Sequence, residues 1–384
     1  MLIIRFRIFS LFLVFSIFLS GLSRAFAGSE PAVSAESCVL MYSDGACIYE
    51  KAADTRQLIA STTKIMTAIL AIENTSPEET VPIKESYCRV EGSSMYLDPE
   101  EAYTVKDLLL GLLLASGNDA ALALAHYVAG SEKAFVKLMN EKARELGLQN
   151  TSFANPHGLD APGHYSTARD MAKLMLYCME NETFRDLADT YSATVNDHSY
   201  VNHNKLLVTC PGCIGGKTGY TMAAGRCLVS CCERNGLRFV CVTLSAPDDW
   251  TDHITLYNWA YDNFVLKELS DHLSFEIPVI SGNRKMINVK ADITTELLVP
   301  ADETLEVYAE LPRFVFAPVN LGETAGKFWV IIENNIVAKG PLVYASSCQA
   351  AYPCLDLLSP EVTDHDRENT ENYFRIRADV QARR

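Results

Sequence analysis

The sequence predicts an α+β fold in which an antiparallel sheet carries an inserted helical cluster and is followed by a small all-β domain. One strand-like hairpin surrounds Ser43-Asp44-Gly45, and another surrounds Asn235-Gly236, a dipeptide typical of hairpin turns. Between them, residues 58–185 are mainly helical in pattern. Because strand signals lie on both sides of this region, we expect the helices to be inserted between early and late strands of one sheet.

The first 27 residues have the pattern of a secretory signal peptide. Arg5 and Arg7 precede an apolar run over 8–19, and Ala25-Phe26-Ala27 matches a small-residue cleavage site. We therefore expect cleavage after Ala27 and an extracytoplasmic protein, either secreted or associated with the cell wall or membrane. The alternative is an uncleaved membrane anchor, for which the apolar run is short.

Charge and cysteine content narrow the possible functions. The formal net charge of the chain is −15, which disfavours nucleic acid as a partner because like charges repel. Of the 12 cysteines, Cys210 and Cys213 have C-x-x-C spacing. No second C-x-x-C and no histidine pair at zinc-finger spacing accompanies them, so we predict no metal and no cofactor. A local disulfide and reduced core thiols both remain possible.

Each helix of the predicted cluster has a start or stop signal. Residues 58–73 form an apolar helix, and Thr104–Asp107 is a capping box that opens the next. Ser131 begins a helix that Gly147 ends. Ser166 is the expected N-cap of the helix that follows it.

The pattern changes beyond residue 272. Short alternating strands separated by Gly, Pro and Asn predict a separate small β-domain over 273–346, after a catalytic region over 28–272. We expect residues 347–384 to form a polar, flexible tail, which is weakly helical over 360–384, where charges are many and apolar residues few.

Ser61 and Lys64 stand at the start of the apolar helix over 58–73. At i and i+3 they share one helix face, and Ser61 lies where unpaired backbone N–H groups favour a developing negative charge. A serine nucleophile needs a neighbouring base, and lysine can serve if burial or a second cation lowers its pKa. The alternative is an N-cap serine beside an exposed lysine.

Two further motifs favour the catalytic interpretation. They are Ser116-Gly117-Asn118 between two predicted helices, and Lys217-Thr218-Gly219, followed by Tyr220, on a predicted edge strand. The set S-x-x-K, S-D-N and K-T-G is typical of class A β-lactamases and penicillin-binding proteins. Here the second motif reads SGN.

With these motifs the chain closely resembles the serine-type D-alanyl-D-alanine carboxypeptidases, which are low-molecular-mass penicillin-binding proteins. The matching stretches are "ASTTKIMTA", "ASGNDAA", "IGGKTGYT", "GSSMYL", "NPHGL" and "YSTARDMA". The resemblance covers about residues 38–346, including the small β-domain that such enzymes carry.

This resemblance implies a role for each motif residue. Ser61 is then the nucleophile, Lys64 its general base and Ser116 a proton relay toward the leaving amine. Asn118 would bind the substrate peptide, and Lys217 and Thr218 its terminal carboxylate. Gly219 and Tyr220 would bind the substrate along the strand. The backbone N–H groups of Ser61 and Tyr220 would form the oxyanion hole.

The implied partners are a peptidoglycan stem peptide ending in D-Ala-D-Ala, and β-lactam antibiotics as covalent inhibitors. A β-lactamase is an alternative, but no E-x-x-L-N pattern lies between residues 119 and 216. DD-endopeptidase activity on cross-links is another alternative. A non-catalytic peptidoglycan-binding protein would require a damaged motif, and all three are intact.

Two departures from the family pattern concern carboxylate binding and membrane attachment. Many relatives have an arginine after the strand that follows the third motif, whereas this chain reads "LSAPDDWTDH" there, and Arg226 lies nearby in sequence. Many relatives also end in an amphipathic membrane helix. Here residues 364–384 offer few apolar positions, so we expect no strong C-terminal anchor.

Overall fold

The computed structural model describes residues 31–292, 296–332, 335–351 and 373–380. They form two units, an N-terminal unit that ends at Asp262 and a C-terminal unit that begins at Asn263. The predicted signal peptide lies outside the described residues.

The N-terminal unit contains nine strands and eight helices among the described residues. In chain order they are β1 (Ser37–Tyr42), β2 (Cys47–Lys51), α1 (Lys64–Asn74), β3 (Thr80–Val81), β4 (Tyr103–Thr104), α2 (Val105–Leu113), α3 (Asn118–Ala129), α4 (Glu132–Glu145), α5 (Ala168–Met179), α6 (Glu182–Asp189), β5 (Ser192–Val195), β6 (His198–Val201), α7 (Leu206–Thr209), β7 (Cys213–Thr221), β8 (Gly225–Arg234), β9 (Leu237–Leu244) and α8 (Asp249–Asn263).

The main sheet has the strand order β2-β1-β9-β8-β7, with antiparallel pairing throughout. Helices α1 to α6 lie in sequence between β2 and β7, so the predicted insertion of helices between early and late strands is confirmed. Strand β7 is at the edge of this sheet. Its free side is therefore open to a ligand.

Helix α1 is the central helix of the helical cluster. Every residue from Lys64 to Ala71 is buried, and α1 packs against α2, α3 and α5. A helix that is buried all round belongs to the protein core. As a result, any polar side chain in its first turn is held in apolar surroundings.

The helix caps mostly follow the sequence signals. Thr104 Oγ1 accepts a hydrogen bond from Asp107 N at 3.2 Å, which closes the capping box of α2. Ser131 Oγ accepts one from Ala134 N at 3.2 Å. The expected N-cap of α5 is wrong by one residue: Thr167 caps the helix, and Ser166 Oγ lies 2.7 Å from Thr151 Oγ1 instead.

The C-terminal unit is all-β apart from one short 3-10 turn among its described residues. Its strands are β10 (Phe264–Glu268), β11 (Ser274–Ile280), β12 (Met286–Ala291), β13 (Glu296–Pro300), β14 (Leu305–Pro312), β15 (Val315–Phe316), β16 (Thr324–Ile332), β17 (Asn335–Tyr344) and β18 (Tyr373–Val380). Seven of them form a sheet in the order β15-β11-β12-β17-β16-β14-β18, and β10 pairs with β13. The predicted fold class, with a C-terminal all-β region, is confirmed.

The limits of this unit differ from the expected 273–346. It begins at Asn263 because β10 pairs with β13 along five residues. The expected flexible tail over 347–384, weakly helical over 360–384, is wrong in part, since β18 pairs with β14 from Leu305↔Val380 to Pro312↔Tyr373. In the sequence, Phe374, Ile376, Ala378 and Val380 alternate with polar residues, which is a strand pattern.

All cysteines of the described segments have free thiols, so of the two alternatives the structure has reduced thiols. Cys210 is buried, and Arg234 Nη2 donates to its sulfur at 3.5 Å. In residues 31–292, 296–332 and 335–351, the side chains of His, Cys, Asp and Glu form no group of three that could hold a metal ion. No helix in the described part of the chain is both long and apolar enough to cross a membrane.

Candidate active site

Ser61 lies in a 3-10 turn, Ala60–Thr63, immediately before α1. The turn is tied together by side chains, because Thr62 Oγ1 donates to Ile59 O at 2.6 Å and Thr63 Oγ1 to Ala60 O at 2.8 Å. Ala60 has a positive φ of 45°, an unfavourable conformation for alanine. The surrounding contacts hold the backbone of this turn in place and thereby orient Ser61.

Lys64 has three oxygen neighbours at its ammonium group. Nζ lies 2.9 Å from Ser61 Oγ, 2.6 Å from Asn118 Oδ1 and 2.6 Å from the backbone oxygen of His157. Neutral lysine has two N–H donors and one lone pair. If the two N–H groups donate to Asn118 and His157, the lone pair faces Ser61 and can accept its hydroxyl proton.

The environment of Lys64 favours this neutral form. Burial lowers the pKa of Lys64 well below its usual value, the positive charge of Lys217 lowers it further, and the negative charge of Asp119 partly opposes this effect. Charge destabilisation in an apolar core is the condition under which lysine becomes a general base. The pair expected from the sequence thus has both the geometry and the electrostatics of a nucleophile and its base.

Asn118 contacts Lys64 in this structure. Its Oδ1 accepts from Lys64, and its Nδ2 donates to Glu91 O at 2.6 Å. The side chain is buried and is not among the residues that line the cleft. The amide therefore orients Lys64, and its predicted contact with substrate stays a prediction.

Asp119 is a site residue to which the sequence analysis assigned no role. Its buried carboxylate accepts from Ser94 Oγ at 2.5 Å, from Met95 N at 3.0 Å and from Leu97 N at 3.2 Å. These bonds hold one wall of the cleft against α3. The only sequence signal was its place directly after Asn118.

Strand β7 passes beside the Ser61 turn. A Cβ atom on Gly219 would lie 3.0 Å from Ser61 N and 3.0 Å from Ile59 O, so a side chain there would press on the nucleophile's backbone. Thr218, Gly219 and Tyr220 line the cleft, and Tyr220 is exposed. The glycine therefore allows the edge of β7 and the nucleophile to share one site.

Lys217 points to the buried side of β7. It is only 1% exposed, and its Nζ donates to Thr218 O at 3.1 Å. Burial lowers the pKa of Lys217 to about 7. Its positive charge acts on Lys64, but Lys217 is not among the residues that line the cleft.

The loop over residues 154–164 supports the catalytic turn from behind. Asn155 Oδ1 accepts from Gly158 N at 2.7 Å, and His164 Nε2 lies 2.8 Å from Thr63 Oγ1. Burial, followed by the charge of Lys64, lowers the pKa of His157 to about 3, so its imidazole is neutral. His157 contacts the site through its backbone carbonyl, which accepts from Lys64 Nζ.

The Ser61 turn and β7 border a cleft of about 1170 Å³, which residues 92–96 and 198–203 also line. Of the residues predicted from sequence, the ones that line it are Ser61, Ser116, Thr218, Gly219 and Tyr220, while Lys64, Asn118 and Lys217 lie behind its surface. Ser116 is held at a positive φ of 60° between α2 and α3. The arrangement can activate a serine hydroxyl at the bottom of an open groove that runs along a strand edge.

Comparison with known proteins gives consistent results. A model of the D-alanyl-D-alanine carboxypeptidase family, peptidase family S11, matches residues 24–248. The D-alanyl-D-alanine carboxypeptidase DacF of Bacillus subtilis is 33% identical over 333 residues, which cover 82% of this chain and 86% of that protein.

Solved structures show the same likeness. Penicillin-binding protein 5 of Haemophilus influenzae superimposes with a TM-score of 0.71 at 28% identity, covering 84% of this chain and 99% of that chain. A mutant of the Streptomyces K15 DD-transpeptidase gives a TM-score of 0.59 at 33% identity and covers 61% of this chain and 100% of that chain.

Proposed function

The chain belongs to the D-alanyl-D-alanine carboxypeptidase family of serine peptidases, and we propose that it removes the terminal D-alanine of peptidoglycan stem peptides through an acyl-enzyme on Ser61. The proposed roles of Ser61 as nucleophile and Lys64 as base rest on the short contact between Lys64 Nζ and Ser61 Oγ, at 2.9 Å. The two other neighbours of Nζ are both hydrogen-bond acceptors.

In acylation, Lys64 takes the proton of the Ser61 hydroxyl while Oγ attacks the carbonyl carbon between the two D-alanine residues. The carbonyl oxygen becomes an oxyanion, for which the backbone N–H groups of Ser61 and Tyr220 are the proposed donors. Each such donor typically contributes about 3–4 kcal/mol to transition-state stabilisation. The C–N bond then breaks, and a proton reaches the leaving amine through the Ser116 hydroxyl.

In deacylation, water attacks the ester carbon on Ser61. Lys64 accepts a proton from this water and returns it to Oγ, so the free serine is regenerated and the shortened peptide leaves as a carboxylic acid. Each step uses protein side chains and water. If an amine replaced water as the acceptor, the same acyl-enzyme would lead to transpeptidation. If the acyl donor were a cross-linked peptide and water remained the acceptor, the reaction would be that of a DD-endopeptidase.

Substrate binding in this proposal uses the edge of β7. Thr218 is available from the cleft, and Lys217 contributes positive charge from directly behind it. Asn118 would contact the peptide through the Nδ2 hydrogen that Glu91 does not use. β-Lactam antibiotics would acylate Ser61 by the same attack, and release of the acyl group by hydrolysis would be slow.

The proposed location is outside the cytoplasmic membrane, where such stem peptides occur. Support comes from the signal-peptide pattern of residues 1–27. Attachment to the wall or membrane would depend on whether the N-terminus is cleaved.

The direct test is incubation of the protein with a pentapeptide ending in D-Ala-D-Ala. We expect release of D-alanine from the wild type and none from Ser61→Ala, and covalent labelling by a fluorescent penicillin only in the wild type. Mass spectrometry of the products separates hydrolysis from transfer to an added amine. Absence of D-alanine release from a folded wild-type protein would contradict the proposed function.

A further inference from the structure

Arg226 is a positively charged residue in the cleft that none of the catalytic motifs contains. It lies at the start of β8, directly opposite Tyr220 of β7 in the antiparallel register. Its side chain is 41% exposed and lines the same cleft as Ser61 and Thr218. Because residues two apart on a strand share a face, Thr218, Tyr220 and Arg226 lie on one side of the sheet.

The guanidinium of Arg226 is held in place by two residues of the segment that follows β9. Nε and Nη2 both donate to Asp249 Oδ1, at 3.0 Å and 2.6 Å, and the guanidinium carbon lies 5.5 Å from the ring centre of Trp250. The Asp249 side chain is only 3% exposed. Burial raises the pKa of the Asp249 carboxyl, and its hydrogen bond with Arg226 acts in the opposite direction.

This arrangement leaves part of the guanidinium free. Nη1 makes no hydrogen bond with the described residues, and an arginine has five N–H donors in one plane. One edge of the fork is therefore fixed by Asp249, and the other donors remain for an anion in the cleft. A guanidinium with one edge already oriented binds a carboxylate with little further loss of side-chain freedom.

The other charged and titratable groups of the cleft do not duplicate this position. Apart from the tyrosines of the lining, they are His198, His203, Lys205 and Asp249. Lys217, which is expected to bind the substrate carboxylate, is 1% exposed. Arg226 is thus the permanently charged group that is both exposed in the cleft and next to the third motif on the adjoining strand.

The segment "LSAPDDWTDH" at the end of β9 is where many relatives have the arginine that binds the substrate carboxylate, and in this chain it instead holds Arg226 of β8. It contains no arginine, but it supplies Asp249 and Trp250, which hold Arg226 from the neighbouring strand. Ala246 N also donates to Arg226 O at 2.9 Å, which ties this segment to the start of β8.

We propose that Arg226 binds the terminal carboxylate of the substrate, together with Thr218, and that Asp249 positions it for this contact. This inference rests on the proposed function, because it assigns a residue to the recognition of a carboxypeptidase substrate's chain end. The enzyme's preference for a substrate with a free terminal carboxylate would then depend on Arg226, which lies outside the three motifs.

The test compares two substrates that form the same acyl-enzyme, diacetyl-L-lysyl-D-alanyl-D-alanine and its C-terminal carboxamide. We expect the wild type to prefer the free acid in kcat/KM. Arg226→Gln should lower kcat/KM for the acid about 10- to 100-fold, as loss of a charge-assisted hydrogen bond predicts, and should change it little for the carboxamide. Arg226→Lys should keep only part of the preference.

Because Arg226→Gln removes the charged partner of the buried Asp249 carboxylate and leaves it only the backbone N–H of Trp250, at 2.9 Å, the double variant Arg226→Gln/Asp249→Asn is measured as well, with circular dichroism as the check of folding. Arg234→Gln is the matched control, since it removes an arginine from the same strand outside the cleft. A folded double variant that keeps the wild-type ratio of acid to carboxamide rates would overturn the assignment of Arg226. A wild type that releases no D-alanine from the acid would instead overturn the proposed function.

Discussion

At the scale of single residues, the chemistry of this site depends on the protonation state of Lys64. The side chain lies between two acceptors and the nucleophile, and two charges of opposite sign act on its pKa. Lys217 lowers that pKa and Asp119 raises it. Acylation requires neutral Lys64, so its rate should fall as the pH drops below the pKa of this residue. The two charges should therefore move the acid limb of the pH profile in opposite directions.

Lys217→Gln removes the cation that lowers the pKa of Lys64. The pKa of Lys64 should rise, and the acid limb of Ser61 acylation should therefore move to higher pH. The rate of labelling by a fluorescent penicillin, measured as a function of pH, gives this limb separately from any loss of maximal rate. Lys205→Gln serves as control for the loss of a lysine elsewhere. An unmoved limb in Lys217→Gln would show that the two lysines are not electrostatically coupled.

Asp119→Asn removes the anion that raises the pKa of Lys64. The pKa should fall, and the acid limb should move to lower pH, opposite to the shift in Lys217→Gln. Because Asp119 also holds residues 94–97, the maximal rate should decrease too, so the position of the limb is the quantity to compare. A shift toward higher pH would contradict the electrostatic role given to Asp119.

At the scale of elements, the site is a meeting point of the Ser61 turn, strand β7 and the loop over 154–164. Two glycines permit these close approaches. Gly219 lets β7 pass beside the nucleophile, and Gly158 has a positive φ of 92° with its Cβ position 1.9 Å from Ala60 O. The loop then reaches Lys64 through the carbonyl of His157. The three elements thus approach one another closely at positions where a side chain in place of glycine would collide with backbone.

Gly158→Ala should disturb this junction directly. The new methyl group would collide with the backbone of Ala60, so the Ser61 turn must shift, and acylation by a fluorescent penicillin should fall by about 100-fold or more. Gly163→Ala is the matched control in the same loop, because Gly163 also has a positive φ, of 80°, but has open space around its Cβ position. It should cost about 1 kcal/mol in the free energy of unfolding and leave acylation unchanged. Equal acylation rates in the two variants would refute the steric account.

At the scale of the whole molecule, the chain contains two units with separate sheets. The N-terminal unit holds the complete cleft, and the C-terminal unit has a sheet that includes β18, near the end of the chain. Strand β18 pairs with β14 along eight residues and so protects its edge. An unpaired strand edge exposes backbone donors and acceptors and favours aggregation.

Deletion of residues 352–384 should therefore destabilise the C-terminal unit by leaving β14 at the edge of its sheet. We expect a lower unfolding temperature and more aggregation on heating, with acylation at 25 °C unchanged because the cleft lies in the other unit. A chain ending at Val380 is the control, since it retains β18. Thermal unfolding and light scattering of the two truncated proteins measure the difference. Equal behaviour would show that β18 contributes no stability.

Much of the fold could be predicted because its signals are local. The capping box at Thr104–Asp107 and the hairpin at Asn235-Gly236 involve residues a few positions apart, so short sequence patterns specify them. The cap of α5 was placed at Ser166 instead of Thr167 because adjacent residues offer the same hydroxyl chemistry. Strand β18 was missed because its partner, β14, lies about 70 residues earlier in the chain.

The sequence by itself determined the family and the pairing of Ser61 with Lys64, since a spacing of three residues in a helical turn places both on one face whatever surrounds them. Only the tertiary structure decided what makes that lysine a base. Asn118 and His157, which are 54 and 93 residues away along the chain, supply its two acceptors. The orientation of the Arg226 side chain is likewise fixed by Asp249, which lies at the start of α8. Burial and charge pairing arise from packing between distant segments, and no local pattern records them.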